Sequence, residues 1–265
     1  MINKFPFHNV EKSPWPIFVS FILFGFLLNT VFFFHNLVSS SIIFIFLFLL
    51  IISLYFWWKD VINESNLGFH NYFIINNFYV GMLIMISSEI FFFLSFFWAF
   101  FHNCWFPGVD LGSIWPPAGL EFLVVDSFSV PFLNTIILLS SGISVTWAHY
   151  SLIAGNSNNL LISLVLTVLL GLLFLSLQIF EYSSCQFSFN SLVFGSCFYM
   201  LTGFHGAHVI VGTIFLFICL LRAILFHLNS NHHVGFELAI WYWHFVDVVW
   251  LFLFIFVYWY SNISI

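Results

Sequence analysis

The chain has 265 residues, 62% of them hydrophobic and only 5% charged, with a mean hydropathy of +1.09. A soluble domain carries roughly 25% charged residues, so this chain lacks the polar surface to dissolve in water, and a bilayer must be its solvent. Ten acids against four bases leave no basic face for a nucleic acid. Four cysteines without a CxxC pair argue against a zinc or disulfide framework and leave at most one bridge, Cys104–Cys185, between residues on a shared side.

Seven apolar runs are long enough to span a bilayer as helices: Trp15–Phe34, Ser41–Trp58, Phe78–Phe101, Phe128–Leu152, Leu160–Tyr182, Ser191–Leu221 and Phe236–Tyr260. Lys4 and Lys12 precede the first run and no small-residue cleavage site follows it, so it reads as a retained helix, not a removed signal. No Arg-rich amphipathic transit segment is visible, and 42 Phe in so apolar a chain suit synthesis inside an organelle. The sixth run is long, which predicts tilt or a projecting end. Pro6, Pro14, Pro16, Pro107, Pro116 and Pro117 fall outside the runs or in a first turn, and Pro131 opens the fourth, where a missing N–H does little harm.

With seven spans, Lys4, Lys12, Lys59 and Arg222 all map to the side of the N-terminus or its border. The positive-inside rule makes that side cytoplasmic, or matrix in a mitochondrion. The opposite side carries Asp110, Glu121 and Asp126 in its largest loop, and the C-terminus.

The third span holds one formal charge, Glu89, well away from either end. A carboxylate at that depth costs a few kcal/mol or more, so it marks a functional site with a partner to be found, or a neutral, protonated group hydrogen-bonded inside a bundle. Span four has Ser140, Ser144 and Ala148 four apart, and span six has Gly203 and Ala207 four apart; both patterns predict close helix contacts. No internal repeat suggests an inverted-repeat transporter.

His149 ends span four and Glu181 ends span five. His205 and His208 lie three apart on span six, His244 and Asp247 three apart on span seven, and His232, His233 and Glu237 follow one another around the last loop. Such i, i+3 pairs build metal sites in bundles, but they also hydrogen-bond across helices. The second reading is preferred, because the groups are scattered over several helices and no HExxH or ExxH joins them. At the end of span two, Trp57, Trp58, Lys59 and Asp60 form an aromatic and charged boundary; with Glu64, His70 and Arg222 on the same side they predict either a phospholipid headgroup site or an ordinary interfacial belt.

The stretches HNVEKSPWP (8–16), WWKDVINE (57–64), SEIFFFLSFFWAFFH (88–102), WPPAG (115–119), PFLNT (131–135), TWAH (146–149), GFHGAHVIVG (203–212), SNHHVGFE (230–237) and WYWHFVDVVWLF (241–252), in this order, resemble subunit III of the haem–copper cytochrome c oxidases over nearly the whole chain. The resemblance implies an all-α integral membrane fold: a two-helix part (1–68) and a five-helix part (69–265) around a lipid-filled, V-shaped cleft. It implies a non-catalytic subunit packed on subunit I and other subunits of a complex that passes electrons from cytochrome c to oxygen, reduces it to water and pumps protons. The role implied is to sustain proton uptake and protect the catalytic subunit. No catalytic residue, haem, copper or other metal belongs to this chain on that reading, and phospholipids including cardiolipin are its ligands. Glu89 matches the buried membrane carboxylate; Trp58, Glu64, His70 and Arg222 match lipid contacts; and His149, His205, His208, His244 and Asp247 form a structural polar network. The implied location is the mitochondrial inner membrane, with the N-terminus in the matrix and the C-terminus in the intermembrane space. Tyr79 stands where the family usually has Arg, and Ala154-Gly155-Asn156-Ser157 replaces its EGN and following base, so the basic side is thinner than usual. Taken without the resemblance, the residues also admit an independent membrane metalloenzyme or proton transporter using Glu89, His205, His208, His244 and Asp247; the two readings differ in metal content.

Overall fold

In this computed structural model the chain is described for residue 8 and residues 12–120 and 123–263. Lys4, Pro6 and Glu121, used above for orientation and span limits, lie outside these residues. The elements are α1 (Trp15–Phe34), α2 (Ser40–Asn66), α3 (Tyr72–Trp105), a short 3-10 turn (Val109–Leu111), α4 (Val130–Ile153), α5 (Ser157–Ser184), α6 (Leu192–Ile224) and α7 (Val234–Leu253). A π-helical turn (Phe254–Trp259) and α8 (Tyr260–Ile263) continue α7. Among the described residues, seven helices are long and apolar enough to cross a membrane.

Most helices outrun their apolar segments. The Lys59–Asn66 stretch has no Gly or Pro to stop α2, so its polar end stays helical past Trp58. Helix α3 has 34 residues and α6 has 33, about 50 Å each at 1.5 Å per residue, against a hydrocarbon core of about 30 Å. The expected excess length of α6 is present, and α3 shares it because Tyr72–Asn77 and His102–Trp105 add helical turns beyond the apolar run.

The chain divides into two compact units, Met1–Phe78 and Tyr79–Ile265. In the first, α1 packs on α2. Gly25 makes room for the Phe46 ring, the Trp15 indole stacks on Phe56 with centroids 5.4 Å apart, and Trp15 Nε1 donates to Asp60 at 2.5 Å. Packing on α2 fully buries no residue of α1.

The second unit is built around α7. Trp243 and Trp250 lie seven residues apart, hence on one face, and both are fully buried. Their indole N–H groups donate to α4 hydroxyls: Trp243 to Ser141 at 2.9 Å and Trp250 to Thr135 at 3.0 Å. Gly212 of α6 and Gly171 of α5 lie against the Trp243 ring; a Cβ at Gly212 would come 2.8 Å from it. Helix α4 meets α5 through its small residues, with Ser144 Oγ and Thr167 Oγ1 2.7 Å apart and Ala148 buried, as the four-residue spacing predicts. Helix α3 is held to the rest of this unit by rings: Phe92 on Phe204, Phe93 on Phe245 and Phe101 on Phe256. Bulky Phe side chains keep its backbone away from α6 and α7.

The second small pair behaves differently from its expectation. Gly203 has nothing within 4 Å of where its Cβ would be, and Ala207 is exposed. Among the described residues the contact predicted there is absent, because His205 and Val209 occupy the buried face instead.

Candidate functional site

Four groupings of histidine with carboxylate emerge, and three belong to the second unit. The first lies halfway along α3. Glu89 Oε2 sits 3.1 Å from His208 Nε2 of α6, with the side chains 29% and 15% exposed. The expected buried carboxylate is thus partly exposed on its own chain. His208 Nδ1 is 2.7 Å from the Phe204 carbonyl one turn back. A carbonyl can only accept, so Nδ1 carries its hydrogen. The Nε2–Oε2 contact then holds one shared proton, either on a neutral Glu89 that donates or on a His208 imidazolium paired with a carboxylate. Both forms leave the pair with no net charge, which is how an ionisable residue is tolerated at that depth.

The second grouping is His244 and Asp247. His244 Nδ1 lies 3.7 Å from Asp247 Oδ2, and Thr146 is 3.5 Å from His244 Nε2. They line an open groove of about 570 Å³ between α4 and α7 with Gly142, Ile143 and Leu251. Gly142 is needed here, since a Cβ would stand 2.8 Å from the Asp247 carboxylate. Asp247 Oδ1 is buried without a partner.

The third grouping joins the ends of α4 and α7. His233 Nε2 is 2.9 Å from Glu237 Oε1, and His149 Nε2 is 3.9 Å from the same oxygen. Tyr79 of α3 donates its hydroxyl to Glu237 Oε2. The position where the resemblance expects Arg therefore serves the protein's own carboxylate. His205 stands apart from all three, fully buried, with Nε2 3.3 Å from the Val246 carbonyl and its ring beside Trp250. His149, His205, His208, His244 and Asp247 are thus not joined in one network: His244 faces Asp247, His208 faces Glu89, His205 meets the Val246 carbonyl, and His149 Nε2 has no hydrogen-bond partner among the described residues.

In the first unit His8, Glu64 and His70 come together, with donor atoms within 4.8 Å of one another. Trp58 is 59% exposed on α2. Arg222 belongs to the second unit, where its guanidinium lies by Gly235 at the start of α7.

Glu181, read from the sequence only as one of the groups that hydrogen-bond across helices, is the most deeply held carboxylate among the described residues at 2% exposure. Tyr258 donates to Glu181 Oε1 at 2.6 Å, and Gln178 Nε2 donates to it at 3.2 Å. The i, i+3 spacing of Gln178 and Glu181 was the available signal; Tyr258 lies 77 residues away and cannot be paired with them by spacing. The four cysteines are free. Cys185, just beyond α5, has its thiol pushed up to about 11, chiefly by burial and then by the nearby Glu181.

The fold is that of a helical membrane protein, with seven apolar helices of membrane-spanning length and polar side chains paired between them. The family model for cytochrome c oxidase subunit III matches residues 5–262. Similar proteins include cytochrome c oxidase subunit 3 of Branchiostoma lanceolatum, 46% identical over 97% of each chain. Those of Prototheca wickerhamii and Arabidopsis thaliana are also 46% identical, each over 98% of this chain and over 100% and 98% of their own. The chain belongs to the cytochrome c oxidase subunit III family and is a subunit of the respiratory oxidase complex.

Proposed function

We propose that this chain is the non-catalytic, supporting subunit of its oxidase, with haem and copper held by partner subunits and with subunit I on one of its faces. Relatives over the full length carry the subunit 3 name, and the observation that carries the supporting role is the Glu89–His208 pair. A carboxylate partly exposed halfway along an apolar span and paired with an imidazole needs a covering neighbour and can hand on a proton beside it. The proposal includes residence in the mitochondrial inner membrane, N-terminus in the matrix and C-terminus in the intermembrane space. It also includes anionic phospholipids, cardiolipin among them, near Trp58, Glu64, His70 and Arg222, and a division of labour between a lipid-facing two-helix part (1–68) and a five-helix part (69–265).

Gentle extraction of the native membrane and pull-down of this chain tests the reading. Co-purification of a haem–copper subunit, with no haem or copper on this chain after separation, supports it. A lone chain that keeps its own haem or copper overturns it. In intact mitochondria, an impermeant probe that reaches His8 or His70 from the intermembrane side would invert the orientation.

A further inference from the structure

We infer that His149, His233 and Glu237 form a divalent transition-metal site, best matched to Zn²⁺, where α4 ends and α7 begins. Their donor atoms, His149 Nε2, His233 Nε2 and a Glu237 oxygen, all lie within 4.8 Å of one another. In a tetrahedral zinc site with bonds of about 2.0–2.1 Å, neighbouring donors stand about 3.3 Å apart. The two separations from Glu237 Oε1, 2.9 Å to His233 and 3.9 Å to His149, straddle that value, so small side-chain rotations close the site without moving a helix.

The outer shell is already in place. His233 Nδ1 donates to the Asn229 carbonyl at 3.0 Å, which leaves Nε2 as the nitrogen facing the cluster. Metal-ligating histidines are commonly fixed in this way, with the other ring N–H on a carbonyl or carboxylate. Tyr79 donates to Glu237 Oε2 and so directs Oε1 at the two histidines. His149 Nε2 is buried and has no hydrogen-bond partner, and it lies 3.9 Å from Glu237 Oε1, on the cluster side. Among the described residues no Lys or Arg pairs with Glu237, so a bound cation would supply its counter-charge by displacing the proton held between His233 Nε2 and Glu237 Oε1. Two nitrogens and one oxygen suit a borderline cation such as Zn²⁺, whereas Mg²⁺ and Ca²⁺ want oxygen alone. Partial exposure of the His149 and Glu237 side chains, 28% and 26%, gives an entry path and a fourth position for water. The bound ion would tie the end of α4 to the first turn of α7, with α3 attached through Tyr79.

The test is Co²⁺ and Zn²⁺ titration of the full chain in lipid nanodiscs, read by Co²⁺ visible absorption and by metal content after desalting. Wild type is expected to bind one more equivalent than His149→Gln or His233→Gln, with the intense bands of a four-coordinate ion. His70→Gln, in the other His–carboxylate cluster, leaves that equivalent in place. Tyr79→Phe, which keeps every ligand, is expected to weaken binding about 10–100-fold, the usual effect of losing an outer-shell bond. X-ray absorption at the zinc edge of wild type supplies a readout independent of variant folding: two imidazole nitrogens support the site, and an all-oxygen shell overturns it. Unchanged stoichiometry in both histidine variants also overturns it. None of these results bears on haem or copper, so failure here leaves the supporting-subunit reading standing.

Discussion

Glu89 on α3 and His208 on α6 face each other across 3.1 Å, and His208 is locked in one tautomer by the Phe204 carbonyl. A residue pair more than a hundred positions apart in sequence thus shares a single proton halfway along two helices of membrane-spanning length. The pair is electrically neutral in either form.

Glu89→Gln tests which form is present. A Gln amide N–H donates to His208 Nε2 as a protonated Glu89 does, so stability should change by less than about 1 kcal/mol and the subunit should assemble into the oxidase. Glu89→Ala leaves Nε2 without a partner and should cost about 1–3 kcal/mol. Thermal denaturation of the purified complex and native gels check both. Loss of the assembled complex in Glu89→Gln would show an imidazolium–carboxylate pair instead.

The glycines separate inner from outer faces. Gly212→Ala pushes a methyl to within 2.8 Å of the buried Trp243 ring and should destabilise the second unit by about 1–3 kcal/mol through overpacking. Gly203→Ala meets nothing in this chain and should leave its melting temperature unchanged when the chain is studied alone. If Gly203→Ala nevertheless weakens assembly of the complex, a partner helix covers that face.

The Glu181 cluster is expected to behave as a unit. Tyr258→Phe removes the 2.6 Å hydrogen bond to Glu181 Oε1 and should cost about 1–3 kcal/mol, because the carboxyl group stays buried. Glu181→Gln in the same background should recover part of that loss. A double-mutant cycle on thermal stability measures the coupling, and additive effects would show that the two residues do not interact.

Cys185 provides a pH test. Its thiol is pushed up to about 11, so it stays neutral at pH 8, where only about one in a thousand is thiolate, against about a quarter for a free cysteine. Maleimide labelling should therefore be slow at pH 8 and rise about tenfold per pH unit up to 10. A rate that levels off near pH 8.5 would show an ordinary, unshifted thiol.

Much of the architecture was legible in the chain itself. Seven spans follow from composition, because a run of about twenty apolar residues has few stable states other than a crossing helix. The helix limits at Trp15 and Phe34 agree with the structure, and prolines placed in first turns agree with Pro16 and Pro131. Extensions such as Lys59–Asn66 escaped notice because hydropathy reports where lipid ends, whereas a helix continues until its backbone is broken. The Ser144 and Ala148 contact was readable from four-residue spacing, and the identical spacing of Gly203 and Ala207 was not decisive, since spacing says that residues share a face and not which face is inside.

The chemistry divides along the same line. Residue order alone put Glu89 halfway along an apolar span and put His205 and His208, or His244 and Asp247, on shared helix faces. Only the tertiary structure decided the partners: Glu89 with His208, Glu181 with Tyr258, and Glu237 with His149, His233 and Tyr79. Period and hydropathy are local properties of a chain, set within a few turns of helix. Pairing of polar groups between helices depends on how those helices rotate and pack, and that is settled by buried surfaces such as the Trp243 and Trp250 rings against α4.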